Sequence, residues 1–595
     1  MFIRGLQKDR RHSTGLSRVC NMKFLLVGIN SKYIHSNPAI HYLKLYAGEE
    51  YQNTVELAEY TINHLKEQIL SDIYRRRPDV IGISCYIWNF RMVQELLPEI
   101  HKVLPGRDIW LGGPEVSFEG DEVLAQFPYV TGIMTGEGEE TFRELLSCYR
   151  DEKDYHGVKG LLLPDGFTGS RRELSMDELP FLYTDLQEYQ NRILYYETSR
   201  GCPFQCTYCL SSIERKVRLR SHEKVEQELS YFLAKKVPQV KFVDRTFNCN
   251  REHALFIWNY IREHDNGVTN FHFEVAADIM NEEQLAALAA MRPGLVQLEI
   301  GIQTTNDKTL HEINRYADTR HIAGVVARLR EPCNIHIHLD LIAGLPYEDY
   351  ESFGRSFDEV YAMKPEQLQL GFLKVLKGSP MYHMTEQYGI VYQSTPPYEV
   401  LYTKWLSFDE ILRLKRIEEM VELYYNSNQF RKTLLVLEQA FSGPFQMYSR
   451  LADYYEEKGY FVNTPARSYR YQVLLDFALE REPEKAPLYT ELLTCDYYLR
   501  ENAKSRPSFA ADQTCYYREM ADFYEKEEKE PAVLTGYEGY HAKQVMKMTH
   551  MEAFFYAVWE DCPEKICERR EKPGFLLFDY EKRNPLTGDA RTVLI

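Results

Sequence analysis

Three cysteines, Cys202, Cys206 and Cys209, fall within Gly201-Cys202-Pro203-Phe204-Gln205-Cys206-Thr207-Tyr208-Cys209, in C-x3-C-x2-C spacing. That spacing lets three thiolates converge on one small object from a single loop. Soft thiolates favour zinc, copper(I) or an iron–sulfur cluster over hard cations. A structural zinc usually takes four protein ligands, and no obvious fourth follows Cys209. A 4Fe–4S cluster on three cysteines leaves one iron open for a substrate. This reading is preferred to a zinc completed by a distant residue and to three buried, unliganded thiols.

The spacing, with Tyr208 just before the third cysteine, resembles the radical S-adenosylmethionine (SAM) enzymes. The resemblance implies that the open iron is chelated by the amino and carboxylate groups of SAM. Reductive cleavage would then give methionine and a 5′-deoxyadenosyl radical, with Tyr208 near the adenine and Phe204 also in the SAM site. It further implies that Asp244, in Phe242-Val243-Asp244-Arg245-Thr246-Phe247, meets the SAM amino group where the family more often has Gly-Gly-Glu. By the same resemblance Glu274, Glu299, Gln303 and Gly344 contact the ribose, carboxylate and adenine.

These residues need strands to present them. Ile193–Thr198 reads as the strand that delivers the cysteine loop, and further strands are expected at 240–243, 271–275, 296–301, 335–342 and 367–372. Helices lie between them, for example over 281–291 and 349–362. Six such units over 193–395 make a partial (β/α)6 barrel of the TIM type, with its chemistry at the strands' C-terminal ends. His336 and His338 alternate on strand five and so share a face, either inside the barrel or against a helix.

Residues 22–150 alternate short apolar runs with helical patterns, which predicts an open, flavodoxin-like or Rossmann-like parallel sheet. Strands are expected at 24–29, 55–60, 80–85, 109–113 and 130–134. The turn after the first, at Asn30, has no G-x-G-x-x-G, so a dinucleotide is disfavoured. Other strand ends carry small residues: Ser84, then Gly112-Gly113-Pro114-Glu115, then Gly136-Glu137-Gly138-Glu139. Glycines there let a large ligand approach the backbone. Preceding a radical SAM barrel, this arrangement resembles the domain that binds cobalamin (B12) in cobalamin-dependent radical SAM enzymes. The resemblance implies that the cofactor's tail lies along Gly112-Gly113 beside Ser84, and that Asn30, Pro114, Glu115, Gly136, Glu137 and Gly138 complete the site. The D-x-H-x-x-G that supplies a cobalt-ligating histidine elsewhere is absent; His35 has no Asp two residues before it.

Residues 151–192 are turn-rich and read as a linker with a small hairpin near 158–163, and residues 396–595 as a mainly helical domain of unknown role, ending in a hairpin. The first 21 residues are basic without a long apolar core, and are expected to be a disordered extension before Met22. The net charge of −17 argues against a broad nucleic-acid footprint, and no apolar run reaches the roughly 18–20 residues that span a bilayer. Scattered cysteines fit a reducing cytoplasm.

The whole pattern resembles cobalamin-dependent radical SAM enzymes that carry an uncharacterised C-terminal extension. It implies methylation of an unactivated carbon on a small-molecule or peptide substrate, using a 4Fe–4S cluster, SAM and cobalamin, with a reducing partner such as flavodoxin or ferredoxin. The alternative is a radical oxidation, cyclisation or rearrangement without methyl transfer, as in the anaerobic ring cyclase of chlorophyll synthesis. From another class, a cobalamin or zinc carrier without catalysis stays open.

Overall fold

The computed structural model describes residues 22–595; the extension expected over 1–21 lies outside them. The chain divides into two compact units. The first runs to Phe247 and adds 374–385 and 392–400; the second holds 248–373, 386–391 and 401–595.

The first unit opens with five parallel strands: β1 (Phe24–Asn30), β2 (Val55–Thr61), β3 (Val80–Ser84), β4 (Asp108–Gly112) and β5 (Gly132–Met134). Two more, β6 (Leu161–Leu163) and β7 (Gly166–Phe167), come from the stretch that the sequence suggested as a linker, and continue the same sheet antiparallel, in the order β2-β1-β3-β4-β5-β6-β7. Strands β1 and β3, at the centre of the sheet, are buried at every position because both faces are covered. Leu25, Val27, Ile81 and Ile83 pack toward helices Lys66–Arg76 and Phe90–Val103. Phe24, Leu26 and Trp110 pack toward helices Pro38–Ala47 and Glu139–Arg150. Helix Lys66–Arg76 ends before Pro78, as helices usually do ahead of a proline, with Arg77 closing it in the left-handed region (φ 50°).

Beyond this sheet the first unit carries β8 (Leu194–Tyr196), which pairs in parallel with β11 (Gln239–Phe242). Between them lies the cysteine loop, closed at its neck by a two-stranded antiparallel ribbon of β9 (Ser199–Arg200) and β10 (Arg218–Leu219).

The second unit holds four parallel strands: β12 (Asn270–Val275), β13 (Val296–Gln303), β14 (His336–Ala343) and β15 (Gln367–Phe372). In chain order β8, β11 and these four give the six β/α repeats of a partial TIM-type barrel. The intervening helices start where local chemistry dictates. Asn281 forms a capping box with Gln284 for helix Glu282–Ala289, and Asp349 caps Tyr350–Ala362. The C-terminal region is mainly helical and closes with an antiparallel sheet of Thr549–Tyr556, Arg569–Arg583 and Ala590–Leu594. It packs directly on barrel helix Tyr350–Ala362. There Gly354 faces the Phe445 ring so closely that a Cβ would lie 2.7 Å from it. Asp358 Oδ1 accepts the Phe445 N–H at 2.7 Å, at the start of helix Pro444–Glu457.

Candidate active site

Cys202 and Cys206 are buried and Cys209 half-buried. The loop that carries them is held through its backbone. Cys202 N–H donates to the Glu214 carbonyl (2.9 Å), Met381 N–H to the Thr207 carbonyl (2.8 Å), and the Ser212 hydroxyl to the Cys209 carbonyl (2.7 Å). Gly201 stands at φ +93°, and any Cβ there would run into the Lys216 carbonyl. The Cys202 thiol lies 3.6 Å from the Thr246 hydroxyl. Phe204 and Tyr208, expected at SAM, are half-buried on this loop. Three soft donors on a pinned loop are the donor set that would hold an iron–sulfur cluster.

Asp244 follows β11 and is fully buried. Its carboxylate accepts from Thr198 N (3.0 Å), Thr198 Oγ1 (2.6 Å) and Ser199 Oγ (2.7 Å), which ties the end of β11 to the entry of the cysteine loop. Burial pushes its pKa up to about 6, against those three hydrogen bonds.

In the second unit the parallel register sets Glu274, Glu299, His338 and Gln367 in one row, with His272, Gln297 and His336 in the row before it. Along β13, Val296, Leu298, Ile300 and Ile302 are buried, whereas Gln297, Glu299, Gly301 and Gln303 stay partly accessible. One face therefore packs and the other is polar. Both β14 histidines belong to the polar face. His272 Nε2 lies 3.0 Å from Glu299 Oε2, and His338 Nε2 2.9 Å from Asp340 Oδ1. Burial, then His338 and His272, lower the His336 pKa to about 4, so that ring is neutral at pH 7. Gln303 (φ 73°) and Gly344 (φ 92°) turn the chain at the ends of β13 and β14. The Arg315 guanidinium donates to the Gly301 carbonyl beside Gln303.

At the C-terminal ends of the first unit's sheet, Gly136 leaves the backbone bare, with nothing within 4 Å of a Cβ there, while a Cβ on Gly112 would lie 3.6 Å from the Met134 carbonyl. Gly113 (φ +108°) is needed for a different reason: a Cβ there would sit 2.5 Å from the Cys85 carbonyl. Pro114 begins the short helix that follows. Asn30 is buried and donates to His35 O (3.0 Å) and Glu59 (2.7 Å). Ser84 accepts from Asn37 Nδ2 (2.9 Å) and donates to Val27 O (3.3 Å). Tyr33 and Trp88, in the loops after β1 and β3, are exposed, and Trp88 stacks on Tyr86 at 4.4 Å. Bare backbone beside exposed aromatic rings fits a large ligand with a flat apolar face.

Like Asn30 and Ser84, the two acidic residues expected at the cofactor are hydrogen-bonded within the protein. Glu115 is buried and accepts the Tyr398 hydroxyl. Glu137 accepts from Leu174 N–H, Arg200 and Arg218. Gly138, at the start of helix Glu139–Arg150, faces Leu43, which a Cβ would approach to 3.2 Å. The arginines escaped sequence reading because nothing local links them to Glu137. Their positions flanking the cysteine motif were the available signal.

Three family models match the chain: B12 binding domain over residues 25–146, radical SAM superfamily over 196–360, and a protein of unknown function family (DUF4080) over 386–578. Among curated proteins, the chain is 24% identical over 375 residues to the 2-(S-pantetheinyl)-carbapenam-3-carboxylate methyltransferase of Streptantibioticus cattleyicolor, covering 55% of this chain and 50% of that protein. It is 25% identical over 350 residues to the cobalamin-dependent radical SAM methyltransferase TokK of Streptomyces tokunonensis, covering 53% and 50%. The chain thus spans about half the length of these curated relatives. Among solved structures, the cobalamin-dependent S-adenosylmethionine radical enzyme OxsB, with aqua-cobalamin and S-adenosylmethionine bound, superposes with a TM-score of 0.56 at 15% identity, covering 79% of this chain and 80% of that one. That likeness concerns the fold.

Proposed function

Because the chain belongs to the cobalamin-binding radical SAM proteins that carry an uncharacterised C-terminal extension, we propose that it is a cobalamin-dependent radical SAM methyltransferase acting on an unactivated carbon. The observation that carries this reading is the pinned loop presenting Cys202, Cys206 and Cys209, in one chain with a sheet that has glycines at its strand ends and bare backbone at Gly136. When bound, the cluster supplies an electron for reductive cleavage of SAM, and cobalamin supplies a methyl carrier.

The chain's own residues bind and orient. The three thiolates would hold three irons and leave the fourth for the SAM amino and carboxylate groups. Asp244 sets the loop entry through Thr198 and Ser199, beside the expected amino-group site. Glu274, Glu299, Gln303 and Gly344 would receive the rest of SAM. Neutral His336 adds a hydrogen-bonding group without a charge. The cofactor tail would lie along Gly112-Gly113 near Ser84, with Asn30, Pro114 and the Gly136–Gly138 loop around it. The substrate is a small molecule or peptide, and a flavodoxin or ferredoxin would be the reductant. Among the described residues no helix is long and apolar enough to cross a membrane, and a cytoplasmic location is part of the proposal.

Anaerobic turnover with cobalamin, SAM and a strong reductant tests it. 5′-Deoxyadenosine and S-adenosylhomocysteine should form together, and both should vanish in Cys202→Ala/Cys206→Ala/Cys209→Ala. Deoxyadenosine alone would move the assignment to a radical reaction without methyl transfer. Wild-type protein that takes up no iron would refute the reading.

A further inference from the structure

We infer that Glu137 is a positioning residue for the cluster: a carboxylate from the sheet's Gly-Glu-Gly loop that clasps the neck of the cysteine loop. The neck is the β9–β10 ribbon, in which Arg200 and Arg218 are direct cross-strand partners. Directly opposed residues of an antiparallel pair extend on one face, and like charges so placed repel. Each arginine has acids of its own. Arg200 meets Glu197 (3.0 Å) and Glu139 (2.6 Å), and Arg218 meets Glu214. Among the described residues, Glu137 alone touches both: its Oε1 accepts from Arg200 Nη1 at 3.0 Å and from Arg218 Nη2 at 2.6 Å. Its Oε2 accepts from Leu174 N–H at 2.9 Å, while Arg218 Nη1 donates to the Leu174 carbonyl at 2.5 Å.

The side chains of Arg218, Arg200 and Glu137 are 9%, 15% and 20% exposed, so solvent screens this cluster far less than a surface pair. Burial raises the Glu137 pKa, but Arg218, the Leu174 N–H and Arg200 together draw it below the usual value, and the clasp is charged at neutral pH. The residues between the two ribbon strands are those that carry Cys202, Cys206 and Cys209. Loosening the neck therefore loosens all three metal-binding thiols at once. Residues that orient metal ligands typically cost 10–100-fold in metal affinity when removed. Glu137 thus acts on the cluster, although its position in the sequence suggested a cobalamin contact.

The inference rests on the cluster reading, and the test separates the two. Reconstituted full-length protein is exposed to a ferrous chelator and iron release is followed by absorbance. Cobalamin affinity is titrated in parallel. Glu137→Gln should release iron about tenfold faster than wild type, with cobalamin affinity unchanged within about twofold. Glu137→Gln/Arg218→Gln, which removes the opposed charges, should return to within about threefold of wild type. A wild-type release rate in Glu137→Gln overturns the inference, as does a tenfold loss of cobalamin affinity with iron retention intact. Should the amide variant not fold, Glu137→Asp shortens the reach while keeping the charge. Faster release supports the clasp and a wild-type rate refutes it. Wild-type protein without iron overturns both readings.

Discussion

The residues that define the cysteine loop differ in how much of their role is local. Cys202, Cys206 and Cys209 can be proposed as cluster ligands from the sequence alone because such a motif is a spacing along the chain. Gly201 is also local, but its necessity shows only in space, where the loop doubles back on the Lys216 carbonyl at a backbone angle that favours glycine. Gly201→Ala should strain the loop by about 1–3 kcal/mol and lower the iron bound per chain after reconstitution, with the remainder of the fold intact by circular dichroism. Full iron loading would mean that the backbone can relax around the methyl group. Glu115 and Glu137 show the opposite case. Both were placed at the cofactor because they follow strand-end glycines, yet their partners, Tyr398 and the two arginines, are distant in sequence.

Secondary-structure elements were read with success where apolar runs are short and bounded by turns or caps. β1, β3 and β11 to β15 lie where their patterns put them. What periodicity does not carry is how elements are tied together by buried polar groups. Asp496, on helix Ala486–Arg500, accepts from Lys432 N (2.9 Å), Thr433 N (2.9 Å) and Thr433 Oγ1 (2.7 Å), and so caps helix Arg431–Leu437 from a neighbouring element. Burial raises its pKa from 3.8 to about 6. The folded state therefore holds this proton more tightly than the unfolded chain. The resulting stability is complete below about pH 4 and is lost as pH rises through about 6, a change of about 3 kcal/mol. The difference in urea midpoint between wild type and Asp496→Asn should accordingly change in the variant's favour from pH 4 to pH 7. A pH-independent difference would show that Asp496 keeps an ordinary pKa.

For the whole molecule, the sequence suggests a separate domain over 396–595, but residues 401–595 and the last four barrel strands share one compact unit. Such a grouping depends on contacts between segments far apart in the chain, as between Gly354 and Phe445, and no composition change announces it. The pair also sets a prediction. A chain cut after residue 395 would uncover Phe353, Phe357 and Tyr361, all buried in the intact protein, each worth roughly 1.5–3 kcal/mol of apolar burial. Size-exclusion chromatography should find it aggregated. A soluble, iron-loaded monomer would show that the extension is dispensable for folding.

The Met381 N–H that pins the Thr207 carbonyl has a consequence for how the protein is made. A ribosome adds about 5–20 residues per second, so the cysteine loop leaves it roughly 10–35 seconds before its last backbone partner exists. A nascent chain in that interval exposes three thiols on a loop that is not yet fixed. Iron delivery to the proposed cluster would therefore be best timed after Met381 has left the ribosome, and a scavenging metal or oxidant would meet its easiest target before then.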